Sequence, residues 1–156
     1  MKLERKNMDE AFVLEILNWR YDLPYDFYNN ECDAEVIKEL LEDNYSVVVN
    51  DNEELIGFYC AGPSAQVPAG AKVGAYMEDI IDVGLGMAPI LTGKGNGFTF
   101  FSFVLESIYK TYGNVPVRLT VAKFNQRAIR LYEKFGFMKE MEFTTDFADF
   151  QTMRKV

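Results

Sequence analysis

The 156-residue sequence contains no histidine. That absence removes serine–histidine and cysteine–histidine nucleophilic systems and every histidine-ligated metal site. Acid–base work must then fall to carboxylates, tyrosines or lysines. Cysteine is nearly as scarce: Cys32 and Cys60 are too few for a disulfide framework and show no metal-binding spacing, so they read as two free thiols in a reducing cytosol. No apolar run approaches the roughly 18 residues that a membrane span needs, and the opening Met-Lys-Leu-Glu-Arg-Lys is not followed by a signal-peptide core. Positive charge is also short: 16 Lys and Arg against 24 Asp and Glu leave a net charge of −8 and a pI near 4.6. Such a chain lacks the basic face that a nucleic-acid surface requires. The expectation is a cytoplasmic protein with no metal, no membrane contact and no nucleic-acid partner.

With 49% apolar and 26% charged residues, the chain has the composition of a packed globule. Its length fits one domain over residues 1–156, enough to bury roughly 70% of the unfolded surface. No repeat, low-complexity tract or linker interrupts it, and residues 61–70 read as a loop or a broken hairpin connection. A short first strand at 3–6 precedes a helix over 9–20, with Phe12, Val13, Ile16, Leu17 and Trp19 apolar at helical spacing. Asp33 caps a second helix through residue 41, and residues 45–49 and 55–60 form a hairpin around Asn50-Asp51-Asn52. Residues 77–87 read as a strand whose Gly84 and Gly86 suggest a bulge. A helix from about 95 to 112 stops at Gly113, a strand covers 115–121, Asn125 caps a helix ending at Gly136, and residues 137–143 with 150–153 make a final hairpin. This order predicts a mixed α/β (α+β) sheet.

Between Asp82 and Gly97 a strand runs into a glycine-rich turn and then a helix start. Free N–H groups at a helix N-terminus and the helix dipole hold phosphate, and glycines let the backbone come close. The spacing excludes two familiar versions. G-x-x-x-x-G-K-[ST] fails at Ala88 and Gly95, and G-x-G-x-x-G begun at Gly84 fails at Pro89. A nucleotide-binding protein of either kind is thereby disfavoured. What remains is Thr92-Gly93-Lys94-Gly95-Asn96-Gly97.

This segment resembles the acetyl-CoA-binding motif Q/R-x-x-G-x-G/A of the GNAT superfamily of N-acetyltransferases, with Gly95 and Gly97 matching and Thr92 standing where Gln or Arg is usual. About 30 residues on, Asn125 to Phe137 resembles the family's N-x-x-A-x-x-x-Y-E-K-x-G-F signature. The resemblance is specific over residues 82–137 and implies a mostly antiparallel central sheet flanked by about four helices. Two of its strands would splay apart to hold pantetheine. It further implies acetyl-CoA as co-substrate, held by Leu85, Gly86, Met87, Thr92, Gly93, Lys94, Gly95, Asn96, Gly97 and Asn125. Lys94, Lys123 and Arg127 lie near these motifs and would supply local positive charge to the acidic chain.

Acetyl transfer from a thioester to an amine needs a deprotonated amine, a stabilised carbonyl oxygen and a proton for the departing thiolate. The resemblance gives Tyr132 the last role, since a phenol with a pKa of about 10 is a donor at neutral pH. Read from its helix alone, Tyr132 belongs to an apolar stripe with Ala128, Leu131 and Phe135. For the base, Asp82 ranks first by its closeness to the motif, followed by Asp79 and Glu78. The aromatic and acidic stretch over residues 19–28 matches the region that shapes the acceptor pocket in the family, and its composition suits a cationic amine. The acceptor is expected to be a small-molecule or peptide amine. Phe143, Phe147 and Phe150 would form its opposite wall or the seam of a homodimer, the chain otherwise being a monomer. A different class of function stays open from sequence: a non-catalytic acyl-CoA-binding or regulatory module.

Overall fold

Two aspartates set where the first helices begin. In this computed structural model, which describes residues 2–30, 32–76 and 80–155, Asp9 accepts from the Phe12 N–H at 2.9 Å and opens α1 (Glu10–Leu17). Asp33 accepts from the N–H groups of Glu35 and Val36 and opens α2 (Ala34–Glu42). Each such cap is worth about 1 kcal/mol, because it satisfies donors that have no partner inside the helix. The sequence predicts α1 to residue 20, whereas the helix ends at Leu17. There the Arg20 guanidinium donates back to the carbonyls of Leu17 and Trp19 at 2.9 and 2.7 Å. It covers acceptors that another helical turn would otherwise have covered.

The chain forms two units. The first comprises Met1–Cys60 and Leu85–Leu105. Its strands β1 (Glu4–Asn7), β2 (Tyr45–Val49) and β3 (Leu55–Ala61) pair antiparallel in that order. The β2–β3 turn is shaped by Asn50, whose side-chain oxygen accepts from the N–H groups of Asn52 and Glu54. Val13, Ile16 and Leu17 of α1 pack with Leu40 of α2, Val47 of β2 and Leu55 of β3. Burial of each such side chain contributes roughly 1.5–3 kcal/mol.

The second unit comprises Ala61–Gly84 and Glu106–Val156. It holds the start of β4 (Ile81–Met87), together with β5 (Val117–Ala122), β6 (Met138–Thr144) and β7 (Asp149–Lys155). β4 and β5 run parallel, while β7 pairs antiparallel with β5 on one side and β6 on the other. The expected hairpin is therefore present, and its second strand takes the inner place. β6 carries Lys139, Glu140 and Glu142 and is mostly exposed, as an edge requires, while β7 buries Gln151, Thr152 and Met153.

α4 (Asn96–Tyr112) starts in the first unit and ends in the second at Gly113, whose φ of 82° is a left-handed helix stop. α5 (Gln126–Lys134) is capped by Asn125, which accepts from Ala128 N–H at 3.2 Å. The segment 61–70, expected to be a loop, instead contains a 3-10 turn over Pro63–Ala65 and the start of α3 (Pro68–Lys72). Pro68 at the first helical position explains that start, since its fixed φ suits a helix and its missing N–H would have gone unpaired there. Mixed, mostly antiparallel α/β architecture is thus what the chain has, with five helices among the described residues in place of about four.

Candidate active site

Residues 85–97, all in the first unit, form the strand, turn and helix start that the sequence indicates. After β4 come a 3-10 turn over Pro89–Leu91 and the exposed residues Gly93, Lys94 and Gly95. Gly93 has φ 70° and Gly95 φ 82°, left-handed values that glycine adopts without penalty. A Cβ placed on Gly95 would meet nothing within 4 Å, so the backbone there borders open space. α4 begins at the next residue, and the first N–H groups of a helix have no partner within it. Thr92, in the place of the motif's Gln or Arg, donates its hydroxyl to the Pro89 carbonyl at 2.7 Å, and Asn96 donates its side-chain amide to the Leu91 carbonyl at 3.1 Å. Both side chains thus fix the turn locally and leave its outer face to the backbone.

β4 reaches this turn through tightly packed backbone. A Cβ on Gly86 would lie 2.6 Å from the Phe58 ring, and one on Gly57 would lie 2.5 Å from the Gly86 carbonyl oxygen and from the Phe100 ring. The glycine at 86 therefore has a steric reason beside the bulge that the sequence suggests. Ala88 N–H donates to the Ile56 carbonyl at 2.8 Å, and the Met87 carbonyl accepts from the Tyr21 hydroxyl at 2.7 Å.

In the second unit, the β4–β5 ladder pairs Ile81 with Val117, Asp82 with Arg118 and Val83 with Leu119. Asp82, the first-ranked base, is buried there with both oxygens engaged. Arg118 donates from Nε to Oδ1 at 2.7 Å and from Nη2 to Oδ2 at 3.0 Å, and Gln66 donates to Oδ2 at 2.8 Å. Only 4% of the Asp82 side chain and 2% of the Arg118 side chain are exposed. The carboxylate beside it holds the Arg118 guanidinium above even its ordinary high pKa. The Tyr76 ring lies 5.0 Å from the Arg118 Cζ, and the Tyr76 hydroxyl bonds the Thr120 hydroxyl and accepts from Val67 N–H. A base has to reach the proton it removes, and this carboxylate is enclosed. Glu78 and Asp79, the other two candidates, lie outside the described residues. Arg118, Gln66 and Tyr76 escaped the sequence reading, although one signal was available: an acid inside the apolar strand Ile-Asp-Val and an arginine inside Val-Arg-Leu are opposite charges placed where strands are buried.

Tyr132 lies on α5, 8% exposed, with its ring 6.3 Å from that of Phe137. The Asn125 side chain is engaged in its cap. Lys123, expected to add positive potential, is instead paired with Glu142 at 2.9 Å. Its ammonium and that of Lys139 hold the Glu142 carboxyl down at about 2. Among the described residues no group of three or more His, Cys, Asp or Glu is placed to hold a metal ion.

The family model for the Acetyltransferase (GNAT) family matches residues 13–137. No curated protein sequence gives a significant match. Solved structures do. The chain is similar in fold to AAC(6')-Ib in complex with ribostamycin and coenzyme A, with a TM-score of 0.75 and 17% identity over 99% of this chain and 93% of that one. It is similar to spermidine N-acetyltransferase from Vibrio cholerae in complex with CoA and spermine, with a TM-score of 0.70 and 20% identity over 99% and 95%. A chimera of SpeG, the Vibrio cholerae spermidine N-acetyltransferase, with hSSAT gives a TM-score of 0.72 and 21% identity over 99% and 95%.

Proposed function

Because the chain belongs to the acetyltransferase (GNAT) family, whose members move an acetyl group from acetyl-CoA to an amine, we propose that residues 85–97 hold the acetyl-CoA and that Tyr132 protonates the departing thiolate. Residues 1–156 act as one acetyltransferase domain, a reading supported by a family match that runs through segments of both units. Backbone N–H groups of residues 93–97 take the pyrophosphate, and the edge of residues 85–87 takes the pantetheine and the acyl carbonyl. The β4–β5 ladder ends at Val83 and Leu119 while β4 continues to Met87, which supports this use of the strand beyond that ladder. Asn125 starts the helix that carries Tyr132.

Asp82 serves as the buried counter-ion of Arg118 and not as the base. The acceptor is a small-molecule or peptide amine that arrives as an ammonium ion. Asp22 and Asp26 are exposed beside Tyr21, Phe27 and Tyr28, a composition suited to a cation, and ribostamycin and spermine in the similar structures are amines of this class. The ammonium must lose its proton before attack, to water or to a carboxylate, Asp79 and Glu78 being the candidates in reach of the motif by sequence. The setting is cytoplasmic, in keeping with two cysteines that are not disulfide-bonded and with described residues that include no helix long and apolar enough to cross a membrane.

The observation that carries the reading is the pair of left-handed glycines just before α4, the second of which borders open space. Replacing Gly95 with phenylalanine places a ring where a phosphate would lie. Calorimetric titration with acetyl-CoA is expected to show at least tenfold weaker binding, about 1.4 kcal/mol. Unchanged affinity in a variant with parental circular dichroism would overturn the assignment.

A further inference from the structure

The stretch between α1 and α2 is tied to the end of β4 by one side chain, and that tie falls on Met87, one of the residues proposed to meet the pantetheine and the acyl carbonyl. Tyr21 is held at three points. Its backbone N–H donates to Asn29 Oδ1 at 2.7 Å, closing the loop 21–29. Its ring meets Tyr28 edge-on at 6.4 Å, and Tyr28 meets Phe27 in the same way at 5.3 Å. Its hydroxyl donates to the Met87 carbonyl at 2.7 Å across 66 positions of sequence. Burial pushes the phenol up to about 12, so the donor keeps its proton at any working pH. On the far side of the same peptide, Ala88 N–H donates to the Ile56 carbonyl at 2.8 Å. Both polar groups of the Met87–Ala88 peptide are therefore fixed from within the protein. Two positions before Tyr21 a second aromatic anchor reaches the same strand through packing: Trp19 stacks on Phe58 at 6.0 Å, and Phe58 is the ring that lies against Gly86.

We propose that Tyr21 is a positioning residue that clamps the loop 21–29 to the acyl-carrying end of β4 and thereby sets how the amine acceptor is received. The loop it holds presents Asp22, Leu23, Asp26 and Phe27 to solvent, so a cationic amine with an apolar spacer meets both kinds of group there. Without the hydroxyl, the loop keeps its Asn29 closure and its ring contacts and loses its register against Met87. This inference rests on the reading that residues 85–87 carry the acyl group.

Tyr21→Phe tests it, since it deletes one hydroxyl and keeps the ring. Amide hydrogen exchange read by mass spectrometry over residues 19–29 should speed up at least tenfold. Acetyl-CoA affinity should stay within twofold of the parent. The KM for the acceptor should rise at least tenfold with kcat changed less than threefold. Asn29→Ala, which opens the loop from its other end and leaves the hydroxyl in place, should shift KM in the same direction by a smaller factor. Exchange at the parental rate would overturn the clamp, and faster exchange with an unchanged acceptor KM would overturn its part in acceptor binding. A melting temperature lowered with all kinetic constants unchanged would make Tyr21 a packing residue only. If the parent releases no CoA from acetyl-CoA with any amine, the acetyltransferase reading fails, and the exchange comparison still decides the clamp. Trp19 is the single tryptophan of the chain, so its emission gives an independent signal of any loop displacement.

Discussion

Replacing Asp82 with asparagine leaves the Arg118 guanidinium buried beside a neutral amide. Loss of one partner from a buried pair is strongly destabilising, on the order of 3–5 kcal/mol, because the remaining charge stays out of water unpaired. Calorimetric melting should show that loss. The double variant Asp82→Leu, Arg118→Met should recover most of it, since both charges leave together. A catalytic base would behave in the opposite way, with a normal melt and a slowed reaction, so a parental melting temperature for Asp82→Asn would refute the counter-ion role. Tyr132 predicts the complementary result. Tyr132→Phe removes a hydroxyl and almost no apolar contact, so melting should change far less than for Asp82→Asn. Release of CoA from acetyl-CoA should slow on the order of 10²-fold, the usual range for a general acid, with acetyl-CoA affinity preserved. Equal kcat in variant and parent would leave Tyr132 as packing for Phe137.

Elements set by nearest neighbours along the chain were legible in the sequence. Asp33 and Asn125 each cap the helix they were read to cap, and Asp9, read as the first residue of its helix, caps it instead, because a cap needs only a side chain and an N–H two or three positions away. Gly113 stops α4 and Gly136 follows α5, both with left-handed φ, for an equally local reason. The shape of the glycine turn before α4 was legible too, since it is set by consecutive residues. What depends on distant pairing was not. Asp82 reads as a candidate base until the β4–β5 register sets it opposite Arg118, 36 positions away. The hydroxyl of Tyr21 could not be matched to Met87 without the fold, although the aromatic stretch itself stood out. α3 carries too few residues for a periodic stripe, so only Pro68 marked it. The final hairpin was visible as two strands, while the choice of which one lies against β5 depended on charge that leaves most of β6 exposed.

At the scale of the whole molecule, a net charge of −8 acts on every ligand before contact. Acetyl-CoA is itself an anion, and in the proposed reading it is drawn by local groups such as the N–H cluster at the start of α4. A cationic acceptor is drawn by the field of the entire protein, which salt screens: the Debye length falls from about 30 Å at 0.01 M to about 8 Å at 0.15 M. Across that range kcat/KM for a cationic amine should fall several-fold, roughly up to tenfold, with the steepest fall for the most highly charged acceptor. Initial rates at low acceptor concentration check this directly, and a flat profile would mean that only contacts inside the site select the amine.

The placement of β7 between β5 and β6 has a kinetic side. β5 has its parallel neighbour β4 early in the chain, but its antiparallel neighbour appears only after α5 and β6 have been made. As the polypeptide leaves the ribosome, β5 and β6 are both finished strands with no β7 to join them. Each then shows an unpaired row of N–H and C=O groups to whatever is nearby. Closure of the second unit therefore waits on non-local pairing, which is slow because loop entropy is lost before contacts are gained. The charged residues that mark β6 as an edge in the finished fold serve it first during that interval, when they discourage pairing with other nascent chains.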